Sequence, residues 1–202
     1  MKTHERRRTL NVEFYEEGRM LRRAKITSKE IPLTQGKAAI VDDQDFEWLT
    51  RYKWCAHKNR NTFYAIRQSS RKNGKQTKIL MHRELLGLKS GDPWECDHKD
   101  GDGLNNRRDN LRFATRAQNH QNARSDRLYA KHPTSSRFKG VCWHRGCAKW
   151  QAQIWVEGRQ THLGYFDSET EAAHAYDDMA RKYFGEFARL NFGIGDIRKC
   201  QK

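Results

Sequence analysis

The stretch WECDHKDGDGLNNRRDNLRFATRAQNHQN, residues 94–122, carries the densest set of side chains that can do chemistry. Asp97 and His98 end a short apolar segment, a loop rich in Gly and Asn follows, and NLRFA has the composition of a second short strand. Thr115 and Gln118 form a capping box, which predicts the start of a helix. The stretch therefore predicts a strand, a loop, a strand and a helix in one compact unit.

A unit of this kind can gather a carboxylate, an imidazole and amide oxygens around one cation. Mg²⁺ prefers oxygen ligands and keeps several waters, so the carboxylate of Asp97, an Asn carbonyl and phosphate oxygens would suffice. The unperturbed pKa of histidine is about 6.5, so a neutral His98 can take a proton from the water that attacks phosphorus. These residues indicate metal-assisted hydrolysis of a phosphate ester.

Asp97 and His98 are followed by Asn110, twelve residues after the histidine, and by Asn119, nine residues further on. This spacing resembles the HNH endonuclease motif of phage and intron-encoded homing enzymes, and the resemblance runs from about residue 31 to residue 122. It implies that His98 is the general base and that Asn110 is the scaffold that orients it. It also implies that Asp97 and Asn119 bind the divalent metal, Mg²⁺ or Mn²⁺. Because Asn fills the third position, the chain resembles the H-N-N subgroup.

Two other interpretations of this stretch are weaker. A calcium loop could begin at Asp100, but Asn105 stands where an EF-hand needs glycine. An isolated Asp-His pair in a turn is more often structural than catalytic, yet the full motif spacing favours a nuclease site. Upstream, His82 and Arg83 in LMHREL either approach a DNA phosphate or form a satisfied core or surface pair, and the sequence leaves both open.

The last third of the chain has a different pattern. Three short strands, FKGVCWHRG, AKWQAQIWVEG and RQTHLGYFD, precede a helix that Ser168 caps. Alternation puts Gln151, Gln153 and Trp155 on one face of the middle strand, while the helix covers the other face. Glutamine can read adenine in the major groove, and an aromatic ring can pack on a sugar or a thymine methyl group. The polar face therefore predicts a DNA-reading sheet.

FKGV, KWQAQI, LGYFDSETEAAHAYD and FGEFARLNF, between Phe138 and Phe192, resemble the plant ethylene-response-factor type DNA-binding domain. The resemblance implies DNA-facing strand residues, with phosphate contacts from basic residues among them. These residues are Lys139, Cys142, His144, Arg145, Lys149, Gln151, Gln153, Trp155, Arg159, Gln160 and His162. Several of them are Arg or Trp in the plant proteins, so the plant recognition sequence is not implied.

The composition agrees with a nucleic-acid partner. Forty Lys and Arg against 25 Asp and Glu give a formal net charge of +15, spread along the whole chain, which favours a polyanion. The five cysteines contain no C-x-x-C, which argues against a disulfide framework and leaves zinc at Cys142 and Cys147 as a weak alternative. No apolar run approaches about 18 residues, and the N-terminus lacks an apolar signal region. We expect a protein of the cytoplasm of a bacterial or phage-infected cell.

The predicted fold class is α+β, with a ββα-metal HNH nuclease domain followed by a small three-stranded antiparallel sheet plus one helix. Within the first domain the pattern predicts a helix over 43–54. The predicted segments are an N-terminal extension at 1–30 with a hairpin about Glu17-Gly18, the HNH domain at 31–123 with its core at 94–122, a linker at 124–136, the ethylene-response-factor type domain at 137–193 and a tail at 194–202.

These observations predict a site-directed, homing-type DNA endonuclease that hydrolyses a phosphodiester bond with one divalent metal. It would act as a monomer on double-stranded DNA, without a membrane or a small-molecule substrate. A sequence-specific DNA-binding regulator with an inactive HNH remnant is the alternative. An RNA-binding protein fits the charge but does not explain Asp97, His98 and Asn119 together.

Overall fold

The computed structural model describes residues 9–12, 15–16, 19–20, 24–59, 62–71, 74–123 and 135–193, with side chains from residue 27 onward. The chain forms two compact units, Met1–Thr115 and Arg116–Lys202. The predicted tail and most of the predicted linker lie outside the described residues. Within the described part, no helix is long and apolar enough to cross a membrane.

The first unit consists of small antiparallel sheets and two short helices. Its described strands are β1 (Thr9–Val12), β2 (Tyr15–Glu16), β3 (Arg19–Met20), β4 (Ala24–Pro32), β5 (Ala38–Asp42), β6 (Cys55–Asn59), β7 (Thr62–Gln68), β8 (Lys78–Leu80), β9 (Glu95–His98) and β10 (Leu111–Ala114). The helices are α1 (Asp43–Leu49) and α2 (Met81–Leu85). The strands form sheets in the orders β1-β4-β5, β2-β3, β6-β7-β8 and β9-β10.

Helix α1 ends at Leu49, so the prediction of a helix over 43–54 is wrong in its length. The chain turns after Thr50, and the indole N–H of Trp54 donates to the Leu49 carbonyl at 2.8 Å. Trp54 is thereby buried under the end of the helix, and β6 starts at the next residue. At the N-terminus β2 pairs with β3, while the predicted turn at Glu17-Gly18 lies outside the described residues.

One apolar cluster joins the sheets and helices of the first unit. It draws side chains from β4, β5, α1, β7, α2, β9 and β10, so elements far apart in the sequence share one core. Its buried members are Ile31, Ala39, Val41, Leu49, Trp54, Ala65, Met81, Leu85, Cys96 and Leu111. The β9-β10 hairpin is therefore fixed by one face to the rest of the unit.

The second unit contains a three-stranded antiparallel sheet with one long helix. Its elements are α3 (Arg116–Asn122), β11 (Val141–His144), β12 (Lys149–Val156), β13 (Arg159–Phe166), α4 (Glu169–Phe184) and a 3-10 turn at Gly185–Phe187. The hydroxyl of Ser168 accepts from the Thr170 N–H at 3.2 Å and caps α4, as the sequence predicts. Helix α4 packs Ala172 and Tyr176 against Ala152 and Ile154 on one face of the sheet.

Strand β13 contains an irregularity opposite the middle of β12. Ala152 pairs with Gly164, but the next residue, Gln153, pairs with His162, so one residue of β13 has no counterpart in the pairing. Gly164 has φ of 134°, a conformation that favours glycine. Because of the bulge, the residues of β13 that follow it point to the opposite face of the sheet from the one that strict alternation predicts.

Candidate functional site

The β9-β10 hairpin brings Asp97 next to an arginine. Arg112 is the cross-strand partner of Asp97, and its Nε and Nη2 lie 2.8 and 2.7 Å from Oδ2 of the carboxylate. Asp97 is 4% exposed, so this ion pair is almost fully withdrawn from water. The pair fixes the orientation of the carboxylate. No role was predicted for Arg112 from the sequence.

His98 follows on the same strand and is 5% exposed. Burial lowers the pKa of its imidazole, although the carboxylate of Asp100 and a side-chain hydrogen bond with Asn106 oppose that shift. Desolvation disfavours the charged form of a histidine. The ring is therefore biased toward the neutral form, which is the form that can accept a proton.

Asn110 organises the loop between the two strands. Its Nδ2 donates to Oδ1 of Asp100 at 3.0 Å and to the Asn105 carbonyl at 2.8 Å, and its Oδ1 accepts from the Asp100 N–H at 3.1 Å. Asn105 in turn donates from Nδ2 to the other oxygen of Asp100 at 2.7 Å. These bonds close the loop just after His98.

The same loop is anchored to strand β5. The Ile40 N–H donates to the Leu104 carbonyl at 2.8 Å, and the Asn106 N–H donates to the Ile40 carbonyl at 2.7 Å. Asn106 has no exposed surface, and its Nδ2 donates to the Leu104 carbonyl at 3.1 Å. Strand β5 therefore supports the loop that follows His98.

Charged side chains at the junction of β5 and α1 bind the end of this loop that precedes β10. Asp42 accepts from the Arg108 N–H at 2.9 Å, and Arg107 Nε lies 3.4 Å from the same carboxylate. Asp45 is 2% exposed and accepts twice from the guanidinium of Arg108, at 2.7 Å each. Burial alone would raise the pKa of Asp45, but the hydrogen bonds from Arg108 and Trp48 hold it below its usual value.

We expect Asp45→Asn to lower the free energy of unfolding by about 1–3 kcal/mol at pH 7, because a hydrogen bond to a charged group is lost. Asp45 has a lower pKa in the folded chain, so its contribution is present above the unfolded pKa and lost as the pH falls through the folded pKa. The difference from wild type should shrink below about pH 4. Urea unfolding measures it, with Glu47→Gln, an exposed change on the same helix, as control. Equal stability of Asp45→Asn and wild type at pH 7 would contradict this role.

Two further rings surround His98. His82 of α2 lies with its ring centroid 5.0 Å from that of His98, and Tyr64 of β7 lies 5.1 Å from His82 and 5.8 Å from His98. His82 is 7% exposed, and burial lowers its pKa to about 3. Of the two roles that the sequence left open for His82, the structure shows the buried one.

Asn119, the other predicted metal ligand, lies on α3 in the second unit and is partly buried. Lys139 binds the C-terminal end of α3. Its ammonium donates to the carbonyls of Gln121 at 2.5 Å and Ala123 at 2.8 Å. Burial lowers the pKa of Lys139 to about 8, and Arg189 contributes to the shift. The predicted DNA contact of Lys139 therefore competes with its bonds at the end of α3.

The face of the three-stranded sheet that α4 does not cover carries most of the predicted DNA-contact residues. On this open face Gln151 Nε2 lies 3.1 Å from Nδ1 of His162, and Gln160 donates to Oε1 of Gln153 at 2.6 Å. Trp155 is 63% exposed on the same strand as Gln151 and Gln153. Cys142 and His144 lie on β11. Cys142 is the cross-strand partner of Gln151, and its thiol lies 3.9 Å from the side-chain amide oxygen of Gln151. These side chains form a polar, hydrogen-bonded surface around one exposed indole.

Tyr165 belongs to this open face, although no role was predicted for it. It is 45% exposed, and its ring lies 4.6 Å from the His162 ring and 5.1 Å from the His144 ring. Simple alternation along β13 would put Tyr165 and His162 on opposite faces. The bulge beside Gly164 brings them to the same one.

The predicted basic phosphate contacts lie around the rim of the sheet. Arg145 is exposed in the turn after β11, and Arg159 is exposed at the start of β13. Lys149 forms an exposed pair with Asp167 at 3.1 Å. Exposed pairs of this kind contribute little to stability, so Lys149 can exchange Asp167 for a phosphate.

Asp97 is the predicted metal ligand that lies on the β9-β10 hairpin. Within the described residues, no group of three or more His, Cys, Asp and Glu could hold a metal ion. Mg²⁺ is bound through one or two carboxylates together with substrate phosphates and water, so a single aspartate is compatible with it. A site of tightly clustered His and Cys ligands, as zinc requires, is not found in that part of the chain.

Comparison with known proteins agrees with the motif at the hairpin. Residues 86–121 match the HNH endonuclease family model HNH_3. The match covers the β9-β10 hairpin and its loop and reaches into α3, and we call residues 86–121 the HNH segment.

Curated relatives are similar to about a third of the chain. The AP2-like ethylene-responsive transcription factor TOE2 of Arabidopsis thaliana is 45% identical over 68 residues, which are 34% of this chain and 14% of the relative. APETALA2-like protein 2 of Oryza sativa subsp. indica is 42% identical over 62 residues, 31% of this chain and 14% of that protein. The chain thus spans about a seventh of the length of these relatives. It combines an HNH segment with a stretch similar to AP2-type transcription factors.

Proposed function

We propose that this protein is a metal-dependent DNA endonuclease in which an HNH site cuts and an AP2-like sheet binds the DNA. The observation that carries the proposal is the β9-β10 hairpin, which holds a buried carboxylate, Asp97, beside a buried imidazole, His98. The match of residues 86–121 to the HNH endonuclease family supports the same conclusion.

In the proposed reaction His98 accepts a proton from the water that attacks the phosphorus atom. Asn110 keeps the loop closed through its hydrogen bonds, and Asn106 anchors the same loop to strand β5. By the resemblance to the H-N-N subgroup, Asp97 and Asn119 would hold Mg²⁺ or Mn²⁺. A bound cation of this type polarises the phosphoryl group and stabilises charge on the leaving oxygen.

The sheet is proposed to enter the major groove with its open face toward the bases. Gln151, Gln153 and Gln160 have amide groups that can bond with base edges, while Trp155 supplies apolar contact. Arg145, Lys149 and Arg159 would contact phosphates. Two modest interfaces on one chain act as one stronger interface, since binding of the first raises the effective concentration of the second.

We further propose that the enzyme is of the homing type, acts as a monomer on double-stranded DNA and works in the cytoplasm of a bacterial or phage-infected cell. The combination of a cutting segment with a separate binding stretch supports this proposal. The competing function is a DNA-binding regulator whose HNH segment is inactive, which the similarity to plant transcription factors favours.

The ends of the cut DNA test the proposed chemistry. An end-labelled duplex taken from the sequence that flanks the gene is incubated with the whole protein in Mg²⁺, Mn²⁺ or EDTA. Hydrolysis at the leaving 3′ oxygen predicts 5′-phosphate and 3′-hydroxyl ends that DNA ligase rejoins without treatment, and it predicts no product in EDTA. Binding without cleavage in either metal would favour the regulator.

A further inference from the structure

Helix α2 brings a second buried histidine to the ring of His98. His82 lies outside residues 86–121, the part of the chain that matches the HNH family. Its ring meets that of His98 edge to face, with an interplanar angle of 81° and a centroid distance of 5.0 Å. Edge-to-face packing at this distance is a favourable arrangement for aromatic rings.

The contact is made by packing. His82 is 7% exposed, and its Nδ1 has no hydrogen-bond partner among the described residues. Among these residues Nδ1 therefore makes no hydrogen bond that could fix the His82 ring, so the contact between the two imidazoles rests on the packing of their rings. The His82 ring packs against both Tyr64 and His98, with centroid distances of 5.1 and 5.0 Å.

Tyr64 is the third ring of the cluster, and the hairpin loop packs against it. Its ring lies 5.8 Å from His98, and Gly103 of the hairpin loop packs directly on it. A Cβ at Gly103 would come within 2.5 Å of both the Tyr64 ring and the Phe63 carbonyl. The loop, β7 and α2 therefore meet beside one imidazole, and the three rings pack against one another.

We infer that His82, supported by Tyr64, is a positioning residue that holds the ring of His98 in the orientation needed to accept a proton. The inference rests on the proposed function. Alanine at His82 would open a cavity beside His98 and let its ring turn. A displacement of a catalytic group by about 1 Å can cost about 100-fold in rate.

The test compares single-turnover cleavage and DNA affinity in the whole protein for five variants: His82→Ala, His82→Phe, Tyr64→Ala, Met81→Ala and His98→Ala. We expect His82→Ala to cut about 10- to 100-fold more slowly than wild type with its dissociation constant for DNA unchanged. His82→Phe restores a packed ring and should recover most of the rate. Met81 is fully buried on the same helix, so Met81→Ala is the control for lost stability.

The outcomes are distinguishable. Wild-type cleavage by folded His82→Ala, or a loss no larger than that of Met81→Ala at equal melting temperature, would overturn the positioning role while leaving the nuclease intact. A folded His82→Phe as slow as His82→Ala would also overturn it, because the imidazole nitrogens would then be needed. Undiminished cleavage by His98→Ala would instead remove the proposed function and this inference with it.

A second readout does not depend on activity. The carbon-bound ring protons of His98, identified by their absence in His98→Ala, report its position through their nuclear Overhauser effects with the ring of Tyr64, whose centroid lies 5.8 Å away. We expect these effects to change in His82→Ala and to be largely restored in His82→Phe, while Met81→Ala leaves them unchanged. Unchanged effects in His82→Ala would show that the contact does not hold the ring.

Discussion

Replacing His98 with alanine is expected to slow DNA cleavage by about 100- to 10,000-fold, which is what a positioned general base contributes. The dissociation constant for DNA should stay within a few-fold of wild type, since a side chain that is 5% exposed offers little surface to the DNA. Single-turnover cleavage at saturating protein separates the two effects, because binding no longer limits the observed rate.

The matched control is His57→Ala, which removes an exposed imidazole from β6 in the same unit. It should cut at the wild-type rate. Because alanine at His98 leaves a cavity, His98→Gln is measured beside it, and both are compared by melting temperature. Cleavage at the wild-type rate by either folded variant would exclude His98 as the base.

The second large effect is expected at the open face of the sheet. We expect Trp155→Ala to weaken specific DNA binding by about 10- to 100-fold, since exposed tryptophans at the centre of an interface often dominate its affinity. The salt dependence of binding should not change, because it reports phosphates neutralised by cations. Arg159→Ala should weaken binding to all sequences and reduce that dependence.

Trp143→Ala provides the control for this prediction. Trp143 is 39% exposed on the same sheet, but it packs edge to face on Trp150 and alternates with Cys142 and His144 of the open face. Its loss should lower stability without changing site preference. Titration by gel shift against specific and scrambled duplexes measures both variants. Equal affinities of Trp155→Ala and wild type for the specific duplex would exclude the open face as the reading surface.

The hairpin could be predicted from sequence because its signals are local. Asp97, His98 and Asn110 fall within fourteen residues of one another, and the structure pairs β9 with β10 around a loop that Asn110 closes. The cap at Ser168 and the alternation along β12 are local signals of the same kind. For such elements the spacing of side chains is set by the geometry of one strand or one helix turn.

The surroundings of His98 could not be predicted, because they depend on contacts between distant segments. Tyr64, His82 and Asn106 reach the imidazole from β7, from α2 and from the hairpin loop. The sequence offered only the pair His82-Arg83 in LMHREL as a signal, and it was equally compatible with a surface position. Packing of separate elements in one core decides between these possibilities.

The surroundings of Tyr165 and Lys139 could not be predicted from sequence, for different reasons. One bulge in β13 moved Tyr165 to the open face, and period-2 alternation has no means of locating a bulge. Lys139 has the type of side chain that binds phosphate, but in the folded unit its ammonium bonds to the last carbonyls of α3. Cations are favourable at that end of a helix.

The most direct test of the central claim uses a supercoiled plasmid that carries the DNA flanking the gene, incubated with the whole wild-type protein or with His98→Ala. If Asp97 and His98 form a hydrolytic site, the wild-type protein yields nicked or linear plasmid in Mg²⁺ or Mn²⁺ and none in EDTA, while His98→Ala binds the plasmid but leaves it supercoiled. A salt-sensitive gel shift by the wild-type protein with no cut plasmid in either metal would contradict the claim and identify a DNA-binding protein with an inactive HNH segment.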